Sequence, residues 1–156
     1  MNASDDLADE FTAVNHSLIS FVDQLPEHDW KHVLPGEEWP VSGTIRHIAA
    51  GYVQGQIWIK GFLDGKPIPI DQEEIDRHNE ARAPEYAATT KEKARDLLLT
   101  DGADVSRLIR KLTPEQLAIT HPVLSGRELT TEQLVKVLIR HTQRHFDNAR
   151  SALGLS

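Results

Sequence analysis

Apolar residues recur every three or four positions through four long stretches of this chain, a period that commits each stretch to amphipathic helix. The first runs from about Asp5 to Leu25 and carries Leu7, Phe11, Val14, Leu18, Phe21, Val22 and Leu25 on one side. Ser4 is placed to cap it, Asp5 and Asp6 suit the positive end of its dipole, and Pro26 ends it. The second, from about Val41 to Leu63, has Ser42 as its expected cap and a stripe of Ile45, Ile48, Ala49, Tyr52, Gln56 and Ile59. The third covers about Thr90 to Leu112, with Leu97, Leu98, Val105, Leu108, Ile109 and Leu112 inward and Gly102 as a weak point or bend. The fourth opens on Thr130 with Gln133 three residues on, the pattern of a capping box, and runs to about Leu153 before Gly154 stops it.

Each of these helices is about 30 Å long, and 156 residues are enough for one self-sufficient core. Convincing strand alternation is missing. The expected fold is therefore all-α: a four-helix bundle, with residues 1–156 as a single helical domain. The roughly 25 residues from Asp64 to Thr89 are more than a short-looped bundle needs. A long crossover between the second and third helices is expected there, with a short helix near Gln72–Ala83. The segment LTPEQL (Leu112–Leu117) reads as one more helical turn, with Pro114 at its first position.

Charge and cysteine content narrow the chemistry. The net charge of −7 comes from acidic residues scattered along the chain, which disfavours nucleic acid and anionic lipid as partners. No apolar run is long enough to span a membrane. The opening MNASDDLADEF lacks a basic segment followed by an apolar one, so a cytoplasmic location is expected. With no cysteine in the chain, any metal must sit on His, Asp or Glu, and any thiol used in chemistry must come from outside.

The stripe of the fourth helix reads Leu134, Leu138, His141, His145, Ala149, Leu153, which puts two imidazoles where apolar side chains belong. Residues four apart lie on one face about 6 Å apart along the axis, so both rings can address a single cation. Spacing alone is weak: eight histidines give roughly 0.4 such pairs by chance, and His28 with His32 forms another. Position is stronger. Two neutral rings on a core stripe each need a partner for a buried nitrogen, and protonating both would place like charges side by side. A shared divalent cation answers both needs. His47, near the start of the second helix, is the candidate third ligand. Gly51 and Gly55 follow it on the same face, through tight helix packing or to leave open volume for a substrate that Trp58 would wall. His16 and His121 read as surface residues and His78 as a solvated loop residue, although Asp76, Asn79 and Glu80 beside it are placed to cover the site.

Two segments also carry a family resemblance: EEWPVSGTIRHIAAGY, with Trp39 and His47, and TTEQLVKVLIRHTQRHFDNARSAL, with His141 and His145. With the connection IDRHNEARA between them, the chain resembles the DinB/YfiT-like family of metalloenzymes over nearly its whole length. The resemblance implies a four-helix bundle with an unusual link between helices two and three. It also implies a metal site on His47, His141 and His145 holding zinc or nickel, and a homodimer. Some relatives are S-transferases or isomerases that use a low-molecular-weight thiol such as mycothiol or bacillithiol. Mycothiol-dependent relatives can carry Glu at one ligand position, where this chain has His141.

Three neutral imidazoles leave a divalent cation its full charge and an open position, the pattern of catalytic zinc. The preferred expectation is a metal-dependent enzyme in which an exogenous thiol attacks a small electrophile, with Asn79, Trp58 or Tyr52 lining the pocket. The alternative is a metal-dependent hydrolase with water as nucleophile and Glu80, Asp76 or Glu38 as general base. A third reading is a non-catalytic, stress-related dimeric binding bundle.

Overall fold

The structure is a computed structural model that describes residues 2–35, 39–66, 68, 71–123 and 126–155. Four long helices form the bundle: α1 (Ala3–Gln24), α3 (Val41–Leu63), α5 (Lys91–Arg110) and α7 (Thr131–Ala152). Shorter elements fill the links: α2 (Glu27–Trp30), α4 (Gln72–Ala87), α6 (Pro114–Leu117), and the strands β1 (Thr120–Pro122) and β2 (Glu128–Thr130). Both α1 and α3 pack on α5 and on α7, so these two consecutive long helices face each other across the diagonal of the bundle. The link from α1 to α3 crosses that diagonal and so is not a tight hairpin, while α4 occupies the link between the neighbouring helices α3 and α5.

The core lies where the four apolar stripes meet. Phe11, Leu18 and Val22 of α1, Ile45, Ile48, Tyr52 and Ile59 of α3, Leu98, Val105 and Ile109 of α5, and Val135, Ile139 and Phe146 of α7 are all buried. Burying each large apolar side chain contributes about 1.5–3 kcal/mol before chain entropy is subtracted. Phe11 meets Tyr52 edge-on at 5.0 Å across the diagonal, and Phe21 meets Phe146 at 5.3 Å.

The ends follow local chemistry, with two corrections to the expected caps. Asn2, not Ser4, caps α1 by accepting from the Asp5 N–H, and Ser4 is buried with its hydroxyl donating to Asn2 Oδ1 at 2.7 Å. Pro40 stands at the cap of α3. Ser42 lies inside the first turn and donates to the Ala87 carbonyl at 2.8 Å, tying α3 to the end of α4. Thr130 and Gln133 form the capping box of α7, and Thr113 and Gln116 form another on α6. At the far end of α7, Gly154 has φ +73, and the Leu155 and Gly154 N–H groups close back on Arg150 and Ser151, a Schellman stop.

Three further expectations change. The crossover helix extends to Ala87, beyond Ala83, because Tyr86 supplies its one buried anchor. Residues 120–130 contain a small antiparallel hairpin, Thr120 opposite Thr130, in a stretch expected to lack strands. Gly102 is neither a bend nor a break, since α5 runs through it.

Candidate metal centre

Antiparallel packing of α3 on α7 brings the histidines together. A Cβ at Gly51 would rest on the His141 ring at 3.8 Å, and one at Gly55 would press on Leu138 at 3.0 Å, so the chains pass in opposite directions at close range. His47 therefore arrives beside the last turns of α7. Its ring centroid is 5.3 Å from that of His141 and 5.0 Å from that of His145, while the latter two are 4.5 Å apart. One ring nitrogen from each lies within 4.8 Å of the others, an arrangement that could hold a metal ion. The Nε2 atoms of His141 and His145 are 3.2 Å apart. Two imidazole nitrogens on one tetrahedral zinc would be separated by about 3.3 Å, given bonds of about 2.0–2.1 Å.

The electrostatics favour neutral rings. Burial first, then the neighbouring His47 and Arg144, hold His141 down to about 4. Burial, His141, His47 and Arg144, in that order, hold His145 down to about 3. His47 is lowered as well, by burial and then by Arg144. All three imidazoles are thus unprotonated near neutrality, the state a metal ligand requires. The Nδ1 atom of His145 is buried with no hydrogen-bond partner, and a neutral ring paired only with His141 cannot satisfy both of its nitrogens. The donor set fits a divalent cation.

Beside the rings opens a cleft of about 280 Å³ lined by Trp39, Thr44, His47, Asn79 and His145. Trp39 stands edge-on to His47 at 5.3 Å and is backed by Tyr86, over which the Arg46 guanidinium sits at 4.8 Å. Thr44 occupies the position one turn before His47, and its buried hydroxyl oxygen has no hydrogen-bond partner. That i,i+3 relation to His47 is the signal by which sequence alone would have found it.

Of the other expected site residues, Asn79 reaches the cleft, whereas Asp76 and Glu80 are exposed on α4 and do not line it. Glu38 lies outside the described residues. Gly51 touches the site through His141, but Gly55 serves helix packing against Leu138. Trp58 is half-buried against the core and Tyr52 is fully buried, its hydroxyl donating to Asn15 Oδ1 at 2.8 Å; neither lines the cleft. His16 and His78 are exposed, the latter on α4 rather than in a loop, and His121 is half-buried edge-on to Phe62. Among the described residues, no helix is long and apolar enough to cross a membrane.

The solved structure of YfiT from Bacillus subtilis, a probable metal-dependent hydrolase with an unusual four-helix bundle topology, matches this fold with a TM-score of 0.81. The match covers 100% of this chain and 91% of that one at 16% sequence identity, so the likeness is one of fold. Comparison with curated proteins finds no match. The family model of the DinB superfamily matches residues 10–147, nearly the whole bundle with all three site histidines, and the chain belongs to that superfamily.

Proposed function

We propose that this chain is a divalent-metal enzyme in which His47, His141 and His145 hold a zinc or nickel ion and the adjoining cleft receives a small substrate. The convergence of three neutral, half-buried imidazoles beside an open cleft is the observation that carries this reading. Bound there, a divalent cation supplies Lewis acidity, lowering the pKa of a coordinated thiol or water towards neutrality. The chain's own part is to hold the three donor nitrogens on rigid helices and to shield one side of the site with Trp39. Thr44 and Asn79 then offer hydrogen bonds to whatever enters.

The preferred reaction is transfer of an exogenous low-molecular-weight thiol to a small electrophile. Among the described residues no carboxylate lines the cleft, so none of these residues stands ready as a carboxylate base for a nucleophile there. A thiol, with an ordinary pKa of about 8.5, needs less help than water. The second reading, hydrolysis, is favoured by the shared fold with YfiT, a probable metal-dependent hydrolase.

Elemental analysis of untagged wild type against His145→Ala tests the site. Stoichiometric metal in the first and its loss in the second are expected; no metal in either would end the proposal. A panel of electrophiles assayed with and without small thiols then separates the two reactions.

A further inference from the structure

We infer that the Thr44 hydroxyl recognises the substrate, and that the substrate is an uncharged carbonyl compound whose oxygen accepts from it. This rests on the reading of the cleft as a substrate site and adds the class of molecule it takes.

Other helical threonines show where such a hydroxyl is normally spent. Thr12 and Thr142 donate to the carbonyls of Ala8 and Leu138, one turn back, at 2.7 Å and 3.0 Å. Thr90, Thr113 and Thr130 each cap a helix by accepting a backbone N–H three residues on. Thr44 does neither. Its backbone N–H reaches the Pro40 carbonyl at 3.1 Å, but its hydroxyl has no partner among the described residues although the residue is only 1% exposed. A buried polar group left unpaired destabilises the fold, and valine, of the same shape, would avoid that cost.

The position of the hydroxyl gives the cost a use. Thr44 lines the cleft with His47, three residues on, and its near-complete burial puts it at the floor rather than the rim. His145 agrees with it. Three buried side-chain atoms lack a partner among the described residues, and two of them, Thr44 Oγ1 and His145 Nδ1, belong to residues of this wall. With an ion on Nε2, the Nδ1 atom carries the ring's proton and is a donor. Asn79 adds a side-chain amide that can donate as well. Donors select acceptors, and a carbonyl oxygen with two lone pairs answers two of them. No Lys, Arg, Asp or Glu lines the cleft among the described residues, so no side chain there pairs with a charged group, while Trp39 offers apolar surface to the body of the molecule.

Cyclopentanone and its oxygen-free analogue cyclopentene, titrated into metal-loaded and metal-free protein and followed by amide chemical shifts, test this. Thr44→Val should bind cyclopentanone about fivefold more weakly than wild type, bind cyclopentene equally and keep the wild-type metal content. Thr44→Ser should stay within about twofold of wild type for both. The metal-free Thr44→Val protein should also melt about 2–4 °C higher, since an unpaired buried hydroxyl has gone. Equal cyclopentanone binding by Thr44→Val and wild type would overturn the assignment. So would a lower melting temperature, which would mean that the fold itself uses the hydroxyl. Tighter binding of cyclopentanecarboxylate than of cyclopentanone by metal-free wild type would overturn the substrate class. Failure of the metal reading would show separately as absent metal in wild type, and the metal-free titrations would still decide the role of Thr44.

Discussion

The side-chain amide of Asn15 fills the space that a side chain at residue 102 would need. A Cβ at Gly102 would clash with Asn15 Nδ2 and stand 3.1 Å from its Cγ. That amide donates to the Leu98 carbonyl at 3.0 Å and accepts from Tyr52 at 2.8 Å, joining α1, α3 and α5 at one level of the core. Burial raises the Tyr52 pKa far above its ordinary value, so its hydroxyl stays a donor.

Gly102→Ala should therefore destabilise the fold by about 1–3 kcal/mol, because Asn15 must abandon buried partners to make room. In an Asn15→Ala background the same change should instead stabilise by up to about 1 kcal/mol, the ordinary helix preference of alanine over glycine. Denaturant unfolding of wild type, the two single variants and the double variant measures the reversal of sign. The same sign in both backgrounds would refute the fit between the two residues.

That pairing marks the limit of what the sequence disclosed. The long helices, the Thr130–Gln133 capping box and the stop at Gly154 depend on neighbours within a turn, so they are legible from spacing. Gly102 looks like a weakness because its complement is on another helix. The His141–His145 pair is legible as a break in an apolar stripe, and His47 by its position near a helix start. Asn79 is distinguishable from Asp76 and Glu80 only once α4 is docked on α3, since one buried side chain, Tyr86, sets its placement. The hairpin of β1 and β2 has three-residue strands and includes Pro122, too little for alternation to register.

Gly51 and Gly55 should part company on substitution. A methyl at Gly51 would meet His141 at ordinary van der Waals distance, so Gly51→Ala should stabilise by about 0.5–1 kcal/mol. At Gly55 the new Cβ would be 3.0 Å from one Leu138 methyl and 3.2 Å from the other. Gly55→Ala should cost about 1–3 kcal/mol through overpacking and push α7 outward, weakening metal binding at His141. Thermal unfolding with metal titration checks both, and equal effects at the two positions would contradict the different packing of these glycines.

Acid should unfold the metal-free protein sooner than its composition suggests. His141 sits at about 4 and His145 at about 3 in the fold, and His47 is also lowered, against about 6.5 in the unfolded chain. Between those limits the unfolded state binds more protons, so stability rises with pH. It is complete above about pH 6.5 and is lost as the pH falls towards the folded values. Each histidine contributes at most about 1.4 kcal/mol per pH unit, and less because the rings are partly exposed. Unfolding in chelator across this range should show the slope, and His145→Ala should flatten it. Identical slopes for the two proteins would mean that the ring is not held neutral by the fold.

Substitutions on α4 separate the two candidate reactions. Asn79 lines the cleft, while Asp76 and Glu80 on the same helix face solvent. Asn79→Ala should raise KM by about fivefold, the loss of one neutral hydrogen bond of about 1 kcal/mol, with metal content unchanged. Asp76→Asn and Glu80→Gln should leave both kcat and KM within about twofold of wild type, because neither carboxylate reaches the reacting groups and exposed substitutions cost little. Turnover that requires no thiol and collapses in Glu80→Gln would reverse this assignment. It would mean that α4 swings inward during reaction and brings a general base to the cleft, so that water, not a thiol, is the nucleophile.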